Sequence, residues 1–461
     1  MVSYLLVRWP KAVVPLLAVL FVLGFDATAY AVSTSDILEA LKYTYMGDRV
    51  AYLASMEVVL WNMLKKRDMR VGGRGQSLLP IRTQNPGVWA GITQAGTLPT
   101  RRVTADTQEA SYALQEFYGA INLSWKLIQD ASQDRFAFER AVDFCDSAFR
   151  TRMFRLINAD LLGTGLGELG VLSAADNQAT VTVDSMPLPD QGLFIDMIDA
   201  SDYDTKIINS EAVLAVDVIN NTITQTSSAA GTAAGDFYTV EDTVSTADGS
   251  LHMLGVLAWI SDANPVSAVG NVGGINRSTT GNDFWKATLL SNSGTNRPLT
   301  EDLLLIAQNN VRKRGGKPLN AWMSNLEIIN RYHEVLREDT FFALGQVKEF
   351  SNGVGIGRDE SGMKQGEDSA GQTIYRFSGI EWRGEPFFRA NRVIGFNTEH
   401  FWIGHGENEV PDVLSNVFPG GDLAYFTKTS SAYFDIEYYW QGELLCDAPT
   451  SAVQIQDVAQ S

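Results

Sequence analysis

The longest unbroken hydrophobic periodicity in the chain runs from Ser132 to Leu162, SQDRFAFERAVDFCDSAFRTRMFRLINADLL. Phe138, Val142, Cys145, Phe149, Met153 and Leu156 recur at three- and four-residue spacing, which gathers them on one face of a helix. Phe144, Ala148 and Ile157 widen the stripe, while Glu139, Arg140, Asp143, Asp146, Arg150 and Arg155 fall largely outside it. Asp146 stands one turn ahead of Arg150, the favourable order for a helical ion pair. No Pro or Gly interrupts the run before Gly163-Thr164-Gly165, where a left-handed C-cap and a break are expected. Such a rod is about 45 Å long. Its apolar face needs a sheet or another helix to cover it, because the stripe lacks the registered charged flanks of a coiled coil.

Ahead of this helix, Asp36 to Arg67 carries a second helical pattern through Ile37, Leu41, Tyr45, Leu53, Leu60 and Leu64. Ser35 or Asp36 serves as its N-cap, and Gly47 interrupts it. It ends in KKRDMRVGGRG, a basic run read as a solvated or interface face, with nucleic-acid contact as the alternative. Residues 77–128 read as a long β excursion. Leu78–Arg82 is strand-like, Asn85-Pro86-Gly87 and Thr97-Leu98-Pro99 mark a loop, and a return strand alternates through Phe117, Gly119, Ile121, Leu123, Trp125 and Leu127. A two-stranded ribbon is marginal alone in water, so this one should lie against its own domain or a neighbouring subunit.

Beyond the long helix, residues 171–262 alternate short strands with Ser/Thr/Ala/Gly-rich turns, giving Ala212–Val218, Thr222–Thr224 and Phe237–Val240 as strands of a small β subdomain. Pro298-Leu299-Thr300-Glu301-Asp302 opens a helix through Leu304 and Val311 that stops at Gly315-Gly316. Leu326–Leu336 is a further helix with Ser324 as its cap, followed by strands at Thr373–Phe377, Val393–Asn397, Phe401–Gly404 and Tyr433–Trp440.

At 461 residues the chain has room for two or three domains of globular composition. Its 36 Lys and Arg stand against 54 Asp and Glu, a net charge of −18 that argues against a general affinity for nucleic acid. Two cysteines, Cys145 and Cys446, make neither a disulfide framework nor a metal-site spacing, and Cys145 reads as a small buried thiol. The first residues look different. Arg8 and Lys11 precede AVVPLLAVLFVLGF, and Ala29-Tyr30-Ala31 follows, which together make a secretory signal pattern. The alternative is a start placed too far upstream, with Val32 as the true initiator.

Candidate chemistry is sparse. Gly165-Leu166-Gly167-Glu168-Leu169-Gly170 spells GxGxxG, but it follows a helix where a dinucleotide fold needs a strand, so it reads as a cap and turn. Gly353–Gly357 lacks the GK[ST] of a phosphate loop. His333-Glu334 has no second zinc-protease histidine. His400 and His405 flank a strand-like run, from which they could meet a metal with Glu399 or Glu407 only as a minor alternative. Asp196, Asp199, Asp202 and Asp204 lack calcium-loop spacing and read as a solvated acidic turn. No nucleophile sits in an elbow motif. The expectation is a protein with no catalytic, cofactor-binding or metal residues, and not an enzyme.

The order of these elements resembles the major capsid protein of tailed bacteriophages, with its Hong Kong 97-type fold. The likeness is carried by ALKYTYMGDRVAYLASMEVVLWNML, the Leu78–Gln129 excursion, the helix of Asp130–Leu162, and GINRSTTGNDFWKA. YRFSGIEWRGEPFFRANRVIGFNTEHFWIG and the tail IEYYWQGELLCDAP complete it. It implies an α+β fold with a long spine helix, an extended β-hairpin loop, and peripheral and axial domains. On this division residues 1–31 are a signal-like or miscalled upstream segment, 32–76 an N-terminal arm and 77–129 the extended loop. The spine helix and peripheral domain take 130–175, peripheral strands with the small β subdomain 176–295, the axial domain 296–440, and a C-terminal strand and tail 441–461.

The resemblance further implies self-assembly, as hexamers and pentamers, into an icosahedral virion shell that encloses DNA without sequence-specific binding, with no cofactor and no membrane. Scaffold, portal and decoration proteins are the implied partners, and the host cytoplasm is the implied place of assembly. Given that place, a miscalled start is the expectation over export for residues 1–31. A cellular encapsulin-like compartment, or a secreted β-rich surface protein if the signal is real, are the alternatives.

Overall fold

The computed structural model describes residues 59–69, 77–84, 106–124, 135–172, 174–184, 189–245, 249–332, 364–367, 373–406, 412–413, 427–430 and 433–459. Residues 1–31, the arm before Val59, His333, Glu334, Glu407, Gly353–Gly357 and the side chain of Cys145 lie outside the described residues.

The described chain opens with helix α1 (Val59–Met63) and strand β1 (Lys65–Asp68), followed by β2 (Ser77–Gln84), β3 (Asp106–Tyr112) and β4 (Gln115–Ser124). The basic run therefore begins as a strand, not as the last turn of a helix reaching Arg67. Helix α2 (Arg135–Leu162) is 28 residues long and ends where the glycines begin. Short strands follow: β5 (Gly170–Val171), β6 (Thr180–Thr182), β7 (Phe194–Asp199), β8 (Asp202–Ala212), β9 (Ala215–Asp217), β10 (Thr222–Thr224), β11 (Phe237–Val240), β12 (Val244–Ser245) and β13 (Gly249–Ser250). Next come α3 (Val256–Trp259), β14 (Thr288–Leu290), α4 (Glu301–Lys313) and β15 (Ala321–Ser324). The remaining strands are β16 (Lys364–Glu367), β17 (Thr373–Phe377), β18 (Ile380–Gly384), β19 (Val393–Phe396), β20 (Phe401–His405), β21 (Asp412–Val413), β22 (Thr427–Ser430), β23 (Tyr433–Cys446) and β24 (Ala452–Ile455). The fold is thus mixed helix and sheet.

Two larger sheets organise the described residues. In one, β23 is the axis: it pairs with β20, β21, β22 and, over ten residues, β4, while β1 adds in parallel to β20. The other has seven strands in the order β14-β24-β19-β15-β18-β17-β16. Helix α4 covers it through Leu304, Ala307 and Val311, with Thr300 accepting the Leu303 N–H as N-cap and Arg312 and Lys313 in the last turn. The helix at 326–332 is capped by Asn325, whose Oδ1 accepts the Glu327 N–H at 2.9 Å; the expected cap, Ser324, is instead the last residue of β15.

The expected ribbon partner is corrected. Leu78 and its neighbours pair with β3, Leu78 opposite Ser111 and Ile81 opposite Gln108. The alternating strand from Phe117 instead joins the sheet of β23, with Phe117 opposite Trp440 and Gly119 opposite Tyr438. Its alternation reflects one face turned to a helix and not a ribbon. Helix α2 crosses that face: Phe149 stacks on Tyr438 with centroids 4.6 Å apart, and a methyl on Gly119 would overlap the Phe149 ring. Met153, Ile157 and Leu161 continue the buried stripe. Arg150, expected on the outer face, is half-buried with its guanidinium 5.5 Å from the Tyr438 ring.

The end of α2 meets the start of α3. Gly163 is not left-handed; Gly165 and Gly167 are, at φ +97° and +62°. The Gly163 carbonyl instead accepts the Leu257 N–H at 3.2 Å, and Gly255 passes so close to the Gly163 and Asp160 carbonyls that only a glycine fits. A helix C-terminus left with free carbonyls is thereby satisfied by the N-terminus of another helix. No helix among the described residues is long and apolar enough to cross a membrane.

Candidate functional site

The ribbon β2–β3 is bonded, among the described residues, only to itself as a sheet. What holds it is its base. Ala110 and Tyr112 are buried in the main core, with Ile81 packed against it. The Tyr112 hydroxyl donates to the Cys446 carbonyl at 3.2 Å, and its ring lies 6.0 Å from that of Trp259. Burial pushes this phenol far above its usual pKa, so it stays a donor.

The floor beneath the base is the stretch Val272–Ala287. Gly273, at φ +60°, leaves room for Ala110, the Tyr112 ring and Trp285; a Cβ there would lie 3.2–3.3 Å from each. Gly274, at φ +73°, faces the Ser111 hydroxyl in the same way. Both glycines are needed for conformation and for approach. Trp285 donates its Nε1–H to the Val272 carbonyl at 2.8 Å and meets Trp259 edge-on at 5.6 Å.

Arg277 ties this floor together. It is fully buried, and its guanidinium donates to four carbonyls: Nε to Trp285 at 2.9 Å, Nη1 to Ala258 at 2.8 Å and Ala263 at 3.0 Å, Nη2 to Trp259 at 2.9 Å. Burial lowers its pKa to about 10, so it remains charged at neutral pH. A rigid fork of donors suits this task where a lysine would not. Sequence reasoning quoted this segment for its likeness alone; a single Arg between glycines and a Trp was the available signal.

A second buried polar centre lies at the end of α2. His252 Nδ1 sits 2.9 and 3.1 Å from the two Asp160 carboxylate oxygens, and its Nε2 sits 2.8 Å from Thr243 Oγ1 and 3.1 Å from Thr239 Oγ1. Asp160 also accepts the Met253 N–H at 3.2 Å, and Glu443 accepts the Leu254 N–H at 2.8 Å. Burial, reinforced by the negative charge of Asp160, raises the Glu443 carboxyl well above the ordinary range. Gly167 passes directly over the imidazole. An Asp–His–hydroxyl series is the arrangement of nucleophilic hydrolysis. Here each hydroxyl donates to a carbonyl, Thr239 to Leu166 at 3.2 Å and Thr243 to Val240 at 2.7 Å, and Thr239 is fully buried. The series is a joint between helix, subdomain and sheet. Sequence reasoning missed it; polar Asn158 and Asp160 inside an apolar last turn were the only trace.

The other sequence candidates that fall among the described residues resolve as structural groups. Gly165–Gly170 is a turn after a helix, as expected. Asp199 accepts both the N–H and the hydroxyl of Ser201 at 2.7 Å, and Asp202 accepts from the Asp204 N–H and the Thr205 hydroxyl, as turn carboxylates do. Asp196 departs from that reading: it is buried, accepts the Ser210 and Asp242 N–H groups at 2.8 Å each, and pairs with Lys206 at 2.7 Å. His400 bonds Asp447 at 2.6 Å, whereas His405 donates to the Gly406 carbonyl at 3.0 Å, so the two histidines do not converge. Among the described residues no group of three or more His, Cys, Asp and Glu is placed to hold a metal ion. Lys66 and Arg67 of the basic run lie over Trp61 and Trp402, at 5.0 and 4.3 Å.

No family model and no curated protein matches the chain. Among solved structures it is similar to the capsid asymmetric unit of cyanophage A-1(L), with a TM-score of 0.48 at 12% identity over 89% of this chain and 96% of that one. It is similar to the SrpI encapsulin of Synechococcus elongatus, with a TM-score of 0.43 at 8% identity over 91% and 96%. The capsid of the native GTA particle gives 0.40 at 9% identity over 90% and 94%. All three scores lie under 0.5, and each is a likeness and no more.

Proposed function

We propose that this chain is a structural shell protein, the major capsid protein of a tailed phage, that assembles with copies of itself into a closed icosahedral container for DNA. The observation that carries this reading is the ribbon: two strands with a deeply anchored base and no sheet of their own chain alongside them among the described residues. A ribbon of that kind is marginal in water. Its natural support is a neighbouring subunit. The long helix laid across the β4–β23 sheet supplies the stiffness a shell needs, and it takes the part of the spine helix. The order of sequence motifs supports the same division into N-terminal arm, extended loop, peripheral domain and axial domain. Hexameric and pentameric rings built from one chain need heterologous contacts that close by rotation. Scaffold, portal and decoration proteins are the partners such a shell would take.

The test is assembly. Purified protein should form capsomers or closed shells, seen by light scattering and electron microscopy. Replacing residues 85–105 by a two-residue turn keeps the anchored base and should leave a folded subunit that no longer assembles. A dispersed monomer at high concentration from the intact chain would sink the reading. Assembly unimpaired by the replacement would remove the ribbon from its centre.

A further inference from the structure

Strand β14 forms one edge of the seven-stranded sheet, and its free side opens onto a cavity of about 410 Å3. The direction of its backbone groups follows from its one pairing. The Leu290 carbonyl accepts the Gln456 N–H at 3.0 Å, so Leu290 faces β24, as does Thr288 two residues earlier. Ala287 and Leu289 therefore face away. The outward groups of Ala287 are already taken, its N–H by the Ser261 carbonyl at 3.1 Å and its carbonyl by Arg314 Nη1 at 2.6 Å. Those of Leu289 face the cavity with no partner in the described fold. A second, independent sign is Thr288, a residue of the cavity lining whose buried hydroxyl has no hydrogen-bond partner among the described residues.

The lining is also unusual in charge. Lys286, Lys313 and Arg314 stand against Asp262 and Asp283, and Lys286 is engaged by Asp283 at 2.8 Å. An excess of cations at this spot contrasts with a chain of net charge −18. An open strand edge offers main-chain bonds, and flanking pockets select side chains. We propose that the edge of β14 and the basic cavity beside it dock an extended acidic peptide of a partner protein, which adds to the sheet as an eighth strand. The peptide backbone bonds the Leu289 N–H and carbonyl, and an acidic side chain reaches the cations at the end of α4. This site is separate from the ribbon and does not depend on shell formation.

The experiment is fluorescence anisotropy with the purified full chain and a labelled hexapeptide of alternating Val and Glu. Saturable binding is expected, weakened roughly tenfold or more by N-methylation of the peptide backbone, which needs no protein variant. Leu289→Pro removes only an N–H that points away from β24, as an edge strand tolerates, and should leave the melting temperature near that of the parent while losing the peptide. Lys313→Glu should weaken binding without altering the fold. Absence of saturable binding would overturn the proposal, and so would equal affinity for the N-methylated peptide. Full displacement by inorganic phosphate would reduce the site to a free-anion site and overturn it too. Self-association of the chain that Leu289→Pro abolishes would place a second copy on the edge in the partner's stead.

Discussion

Two buried charge centres grip the same length of chain, residues 252–285, by opposite means. Arg277 donates to four carbonyls and, among the described residues, makes no ion pair with a carboxylate. The His252 centre is built from carboxylates, Asp160 against the imidazole and Glu443 against the next backbone N–H but one. In the first, a permanent charge is spread over fixed dipoles, and a pKa of about 10 leaves it charged throughout the neutral range. In the second, burial has driven one acid far from its ordinary pKa. Unpaired buried charge is costly, and each centre meets that cost differently. The first should be indifferent to pH and intolerant of truncation. The second should be tolerant of an isostere and sensitive to pH.

The largest effect is expected at Arg277. Arg277→Met should cost about 3–5 kcal/mol, because it leaves several buried carbonyls without donors. Urea unfolding of the unassembled subunit measures it. A loss below about 1 kcal/mol would show that the carbonyls find other partners, and the contrast between the centres would fail. Next is Gly167→Ala, which sets a methyl into the His252 ring at a left-handed φ of +62° and should cost about 2–4 kcal/mol. Gly273→Ala should cost less, about 1–2 kcal/mol, since its new methyl meets Trp285, Ala110 and Tyr112 at 3.2–3.3 Å. Its larger consequence should be a displaced ribbon base, read as loss of assembly at retained secondary structure.

These centres also show which parts of the fold were legible beforehand. Helix α2 was legible because a period of 3.6 repeats over many turns, and its end because Gly163 follows. Strands Thr222–Thr224, Phe237–Val240 and Thr373–Phe377 were legible because turn residues bracket short β-branched or aromatic runs. The partner of the Leu78 strand was not. Alternation along β4 points to one covered face, but at Gly119 the cover is Phe149 of α2, and the hydrogen-bonded neighbour lies more than 300 positions away in β23. Arg150 was misplaced for a related reason: helical phase separates inner from outer, but Tyr438 reaches round the edge of the stripe to meet it. The buried centres were least legible. Asp160, His252 and Glu443 come from three distant segments, and a buried charge leaves no periodic mark.

The effect at Glu443 vanishes at low pH and grows as pH rises, and it carries the sharpest test of the contrast. Burial raises this carboxyl in the folded chain above its value in the unfolded one, about 4.3. Below that value both states hold the proton and Glu443 costs nothing. Above it the unfolded chain releases the proton while the folded chain keeps it, so stability falls as pH rises until the folded group also ionises. Glu443→Gln cannot titrate, and its Oε1 can still accept the Leu254 N–H. The variant should therefore match the parent near pH 4 and gain on it steadily as pH rises. Carboxylates remote from Glu443 contribute equally to both proteins and cancel in the difference. Urea midpoints measured across that pH range give the slope directly. The same series on Arg277→Met should give a loss that does not change with pH. An offset for Glu443→Gln that is constant with pH would mean that Glu443 is ionised in the folded chain, and the two centres would then differ only in the sign of their charge.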